Sequence, residues 1–158
     1  MKTLLLASVL AFTSFFGANA VTSTTAEGDA IIGKWLNQEG TSHIQIFKAT
    51  NGSFAGKFYG KIVWLKVVND PDGTPRKDIN NPETSLRTRP LKGLENLRGF
   101  QYTGDGKWEN GNVYDPKTGN DYSCEMTLVN PNTLEVRGFI GISLFGRTDV
   151  WKRQVTKK

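Results

Sequence analysis

The side chains that could do chemistry in this sequence are few and widely spaced. His43 is the sole histidine, so a multi-histidine metal site is ruled out and at most one imidazole base is present. It lies between Ser42 and Gln45 in an alternating stretch, where a lone imidazole reads as a hydrogen-bonded structural residue. Asn69-Asp70-Pro71-Asp72-Gly73 has the outline of a calcium loop. Its third acidic position is missing, Pro71 intervenes and Arg76-Lys77 follow, so it reads as a plain turn with no metal. No two acids fall on strands expected to face one cleft, which leaves the paired carboxylates of glycoside cleavage unassigned. Glycines stand singly at turns and bends, never as a phosphate-cradling run. Cys124 is the only cysteine and reads as an inert buried thiol, with a disulfide to a second copy or a reactive thiol as the alternatives, since reactivity needs exposure and a basic neighbour. An enzyme would have to use Asp78, Arg87 or Arg89 beside the barrel mouth, and only if those side chains converge on one cavity. The sequence thus favours a binder over an enzyme and implies no catalytic residue, cofactor or metal.

The elements that must position any site are strands. Ile31–Leu36 and the alternation of Ile44 and Ile46 with His43, Gln45 and Phe47 predict the first two. Thr50-Asn51-Gly52-Ser53 predicts a tight hairpin, because Asn-Gly tolerates positive φ. A long third strand is predicted from Phe54 to Trp64, with Phe54, Gly56, Phe58, Gly60, Ile62 and Trp64 on one face and Lys57, Tyr59 and Lys61 on the other. Glycines on a packed face suggest a sheet curling into a barrel. The C-terminal half reads as a meander turning at Gly104-Asp105-Gly106, Asn110-Gly111, Asp115–Gly119 and Asn130–Thr133. Tyr122, Cys124, Met126 and Leu128 alternate with Ser123, Glu125 and Thr127, which turns Cys124 to the apolar face. The expectation is an all-β fold, an antiparallel sandwich or up-and-down barrel of about 8–10 strands.

Residues 66–98 break the rhythm. The segment holds Pro71, Pro75, Pro82 and Pro90, carries seven basic and five acidic residues, and places Asn81 and Pro82 as N-cap and first residue of a short helix. A loop this long in a compact domain is a lid, a binding loop or a disordered segment. At the N-terminus, Lys2, the apolar run Leu4–Phe16 and Ala18-Asn19-Ala20 form a signal peptide over residues 1–20. Cleavage would leave 138 residues and a formal charge of +4, with residues 21–29 as a polar leader and 30–158 as one domain. This predicts export to the periplasm or beyond, with no transmembrane segment, and a monomer is favoured. The sequence pI near 9.4 is no sign of nucleic-acid binding, since bases and acids alternate and an exported chain meets little DNA or RNA.

Gly33-Lys34-Trp35 on the first strand and Arg153 on the last resemble the signature of lipocalins and the wider calycins. In that pattern Gly lets the strand bend, Trp plugs the closed end and a late Arg stacks on it, so Gly33, Trp35 and Arg153 are the expected closure. Stacking and stem packing predict a cost of about 1–2 kcal/mol for Arg153→Ala. A second resemblance covers nearly the whole mature chain. Gly60-Lys61-Ile62-Val63-Trp64, Asp78 to Pro82, Leu86 to Gly93, Gly104-x-Gly106-Lys107-Trp108, Tyr114-Asp115-Pro116-x-Thr118-Gly119 and Arg137 to Gly141 recur together. They are similar to a family of small exported bacterial proteins known as domain of unknown function 2147. That resemblance implies an envelope or secreted setting and a barrel, and no reaction.

Three readings remain open. The leading one is a binding module whose lumen takes a small, partly apolar or lipid-like ligand under the 66–98 loop. Phe58, Trp64, Tyr102 and Trp108 would line the lumen, with Arg87 and Arg89 at its mouth. The second is an envelope structural or interaction protein that docks through a strand edge or the basic loop. The third is the enzyme described above.

Overall fold

The computed structural model describes residues 26–155. The signal peptide read over residues 1–20 and the leader up to residue 25 lie outside them. Eight strands follow one another: β1 (Gly33–Leu36), β2 (Ser42–Lys48), β3 (Phe58–Leu65), β4 (Glu95–Gly104), β5 (Lys107–Asp115), β6 (Asn120–Asn130), β7 (Thr133–Phe139) and β8 (Arg147–Gln154). Each pairs antiparallel with the next, and β8 returns to β1 through Lys34↔Gln154, Trp35↔Arg153 and Leu36↔Lys152, closing the barrel. Closure pairs both sides of every strand, so the sheet offers no edge for another chain to extend.

The alternation carries the core. Ile44 and Ile46, Cys124 and Met126, and Leu134 and Val136 are buried at alternate positions of β2, β6 and β7. Cys124 is a free, buried thiol, and its burial pushes its pKa well up.

Several turns differ from the sequence reading, each for a local reason. Asn51-Gly52 does not close a two-residue hairpin. β2 and β3 end their pairing at Lys48↔Phe58, and residues 49–57 form a loop with a 3-10 turn at Gly52–Phe54. Asn110-Gly111 is no turn either. Asn110 takes φ 60° as a bulge inside a continuous β5, where the pairing skips from Trp108 to Gly111. The two-residue turn lies at Asp105-Gly106, with φ 50° and 67°. Asn81 and Pro82 do not open a helix. The short helical piece is a 3-10 turn at Thr84–Leu86, and the loop is 66–94 because β4 already begins at Glu95.

One bulge has a larger effect. His43 pairs with Trp64 but Ile44 pairs with Ile62, so Val63 is an extra residue on β3. The pleat slips by one, Leu65 turns inward, and Trp64 comes out at 40% exposure instead of sharing the face of Phe58 and Ile62. Outside the barrel Trp64 lies 4.4 Å from the ring of His43. Burial and nearby Lys34 hold that imidazole below its ordinary pKa.

Where the strands run toward Gly33 the barrel is sealed. Residues 26–28 are helical and Asp29–Ile31 form a 3-10 turn across this end, so the fold includes the last residues of the expected leader. Trp35 Nε1 donates to Ile31 O at 2.9 Å and Trp108 Nε1 donates to Gly28 O at 3.2 Å. Arg153 lies 4.2 Å from the Trp35 ring centroid and donates to Ile32 O, Ala30 O and Pro131 O. A Cβ at Gly33, whose φ is 144°, would sit 2.7 Å from Arg153 Nη1, so a side chain there would have to displace the guanidinium.

Candidate functional site

The opposite end is built differently. The loop 66–94 crosses it, and a buried carboxylate holds the loop down. Asp78 is fully buried. Its Oδ2 accepts from Arg89 Nη2 at 2.8 Å, Arg89 Nε at 3.0 Å and Asn81 Nδ2 at 2.8 Å, while Oδ1 accepts from Tyr114 Oη at 2.6 Å. A buried charge is tolerable only when paired and hydrogen-bonded in this way. Three of these residues belong to the loop and Tyr114 to β5, so the network is a strut that ties lid to barrel. It also sets Tyr114, whose phenol is pushed up to about 12, chiefly by burial and then by its bond to Asp78. Asn80 Nδ2 adds a bond to Lys117 O at 2.9 Å in the β5–β6 turn. At that turn Gly119 takes φ 75°, and a Cβ there would run into Asn80 O.

Beneath the lid is a cavity of about 600 Å³, within the usual range for small-molecule sites. Ile44, Ile62, Leu65, Leu91, Val113 and Val136 form its apolar wall. Gly138 on β7 also lines it, on the alternation of Leu134 and Val136, and leaves room where a side chain would otherwise project. At the rim the charges are largely matched within the protein. Arg76 faces Asp70 at 3.7 Å, Arg147 faces Asp149 at 3.2 Å, and Lys117 pairs with Glu39.

Two polar groups in the wall are not matched. Asn96 and Trp151 are 7% and 5% exposed, and neither Asn96 Oδ1 nor Trp151 Nε1 has a partner among the described residues. Asn96 reaches the cavity through another bulge. Gly60 pairs with Leu97 but Lys61 pairs with Glu95, so Asn96 is the extra residue and consecutive Asn96 and Leu97 are both buried.

The residues expected to bind ligand lie elsewhere. Phe58, Tyr102 and Trp108 cluster at the sealed end, with Trp108 packed edge-on to Phe58 at 6.2 Å and 5.1 Å from Tyr102. Trp64 is outside the barrel, Arg89 belongs to the strut, and Arg87 Nε donates to Asn81 O at 2.7 Å. None of the six is among the residues lining the cavity. Asp78 and Arg89 do converge, but on each other and on Tyr114, and of the three only Tyr114 lines the cavity. Asp70 and Asp72 form the expected turn, Asp72 accepting from the backbone and hydroxyl of Thr74 at 2.9 and 2.7 Å.

Of the residues that do line the cavity, Trp151 and Gly138 carried a usable signal. Trp151 is spaced by two from the closure residue Arg153, and Gly138 by two from Val136. Asn96 carried none, since a bulge aims it.

A closed, eight-stranded, up-and-down barrel, plugged at one end by a tryptophan under an arginine and hollow at the other, defines a lipocalin-like protein. Accordingly the chain is similar to protein HP1028 from the human pathogen Helicobacter pylori, a structure described as belonging to the lipocalin family. The two share 27% identity with a TM-score of 0.64, over 79% of this chain and 83% of that one. The chain belongs to the bacterial family described as "Uncharacterized protein conserved in bacteria (DUF2147)", whose model matches residues 33–153. No curated protein sequence matches it significantly.

Proposed function

We propose that this protein is an exported, lipocalin-like carrier that takes a small, partly apolar molecule into the cavity beneath the 66–94 loop. The observation that carries the reading is the cavity itself: about 600 Å³ with an apolar wall, at the end of the barrel that Trp35 and Trp108 do not fill. The buried strut supports it, because a lid held by Asp78, Arg89, Asn81 and Tyr114 keeps a shaped roof over the site instead of a loose loop. Export rests on Met1–Ala20. Native mass spectrometry of protein purified from its own envelope tests both parts of the proposal. The mature mass should begin at Val21, with a second species heavier by one small molecule. Spectra showing only full-length apoprotein would contradict both.

A second reading, an envelope interaction protein, draws on the β7–β8 connection. There Ile140, Leu144 and Phe145 are 76%, 76% and 80% exposed, while Arg137 holds the turn by donating to Ser143 O and Leu144 O. With no strand edge free in the barrel, this apolar tip is what a partner would meet. Replacing Leu144 and Phe145 by serine separates the readings, since it removes the tip and leaves the cavity wall intact.

A further inference from the structure

The two unmatched polar groups say what kind of molecule the cavity takes. A buried donor or acceptor without a partner costs a protein free energy, so such groups are rare and mark places where something outside the chain completes the bond. Lys66 and Lys77 stand with the loop at the cavity rim, while several polar side chains nearer the barrel are already engaged. Asn37 accepts from the backbone N–H groups of Thr41 and Ser42, and Tyr114 is held between Asp78 and Asn81. Asn96 Oδ1, an acceptor, and Trp151 Nε1, a donor, stand apart from these. They come from β4 and β8, which lie on opposite sides of an eight-strand ring, and both line the same cavity. Neither can neutralise a charge.

Resting on the carrier reading, we infer that the enclosed part of the ligand is an uncharged, largely apolar molecule bearing both a hydrogen-bond donor, for Asn96 Oδ1, and an acceptor, for Trp151 Nε1. Amides and hydroxylated carbonyl compounds fit this description. Pure hydrocarbons lack the bonds, and neither Asn96 nor Trp151 supplies the positive charge that a buried carboxylate would need.

The test is a matched series titrated into the full mature chain: decanamide, which has donor and acceptor; methyl decanoate, with an acceptor alone; decane, with neither; and decanoate, which is charged. Decanamide is expected to bind most tightly, with roughly tenfold lost for each hydrogen bond removed along the series. Asn96→Leu should abolish the preference of decanamide over methyl decanoate, and Trp151→Phe that of methyl decanoate over decane. A readout that needs no folded variant of Asn96 is the Trp151 indole N–H resonance, identified by its loss in Trp151→Phe. It should move downfield with decanamide and not with decane. If the three uncharged compounds bind equally and this resonance does not respond, or if decanoate binds best, the inference is wrong while the carrier reading stands. If none of the four binds, the carrier reading falls, and this one with it.

Discussion

Replacing Arg153 by alanine tests how the barrel is sealed, and the cost can be worked from its contacts. The guanidinium lies 4.2 Å from the Trp35 centroid, a contact worth about 0.5–2 kcal/mol at a partly exposed site. It also donates to three backbone carbonyls, those of Ala30, Ile32 and Pro131, which no neighbouring strand satisfies in its place. Since water reaches these carbonyls once the side chain is gone, each bond is worth about 0.5–1 kcal/mol net. Together this gives about 2–5 kcal/mol, more than stacking alone would predict, and a fall in Tm of about 7–18 °C for a domain of this size. Arg153→Lys should recover little of it, because one ammonium cannot fork to three carbonyls. Gly33→Ala adds a sharper check. Alone, it suffers both the strain of φ 144° and a clash of its Cβ with Arg153 Nη1 at 2.7 Å. In the Arg153→Ala background only the strain remains, so a double-mutant cycle by urea unfolding should show about 1 kcal/mol of coupling. Arg153→Ala within about 0.5 kcal/mol of the parent, or strict additivity with Gly33→Ala, would refute this account of the seal.

Other perturbations follow from the same geometry. Tyr114→Phe leaves Asp78 Oδ1 without its donor and should cost about 1–3 kcal/mol at neutral pH, seen in chemical denaturation. The phenol's pKa is raised from 10 to about 12, so its stabilising contribution is complete below pH 10 and lost as pH rises through 12. The parent should therefore lose stability more steeply than Tyr114→Phe across that window. Cys124 is buried and its pKa raised, so the native protein should react with a thiol reagent only as fast as it unfolds, while the denatured chain reacts at once. A fast native reaction would mean that β6 is not packed as described.

The barrel was legible in the sequence because its signals are local. Cys124 and Met126 alternate without interruption, and Gly33, Trp35 and Arg153 are tied to the first and last strands. The site was less legible because bulges move side chains between faces without changing composition. Val63 sends Trp64 outside, Asn110 extends β5 through what reads as a turn, and Asn96 enters the cavity only because the β3–β4 register slips beside it. Counting in twos fails after each of these. Asp78 was hidden for another reason: its partners Arg89 and Tyr114 are 11 and 36 residues away, so nothing in its neighbourhood marks it as a buried strut. Phe58, Tyr102 and Trp108 pack at the sealed end, because the barrel has two ends and spacing along a strand does not say which one a side chain fills.

The central claim, that the cavity beneath the lid is where a ligand binds, has a direct test at Gly138. A Cβ there would meet only Val113 Cγ1 at 3.5 Å and Tyr122 Cβ at 3.7 Å, ordinary contacts, so a larger residue can enter the cavity without backbone strain. Calorimetric titration of decanamide into the parent and into Gly138→Phe should give one-to-one binding in the parent and at least tenfold weaker binding in the variant, with Tm nearly unchanged. Equal affinity in the two proteins would place the ligand elsewhere and contradict the claim.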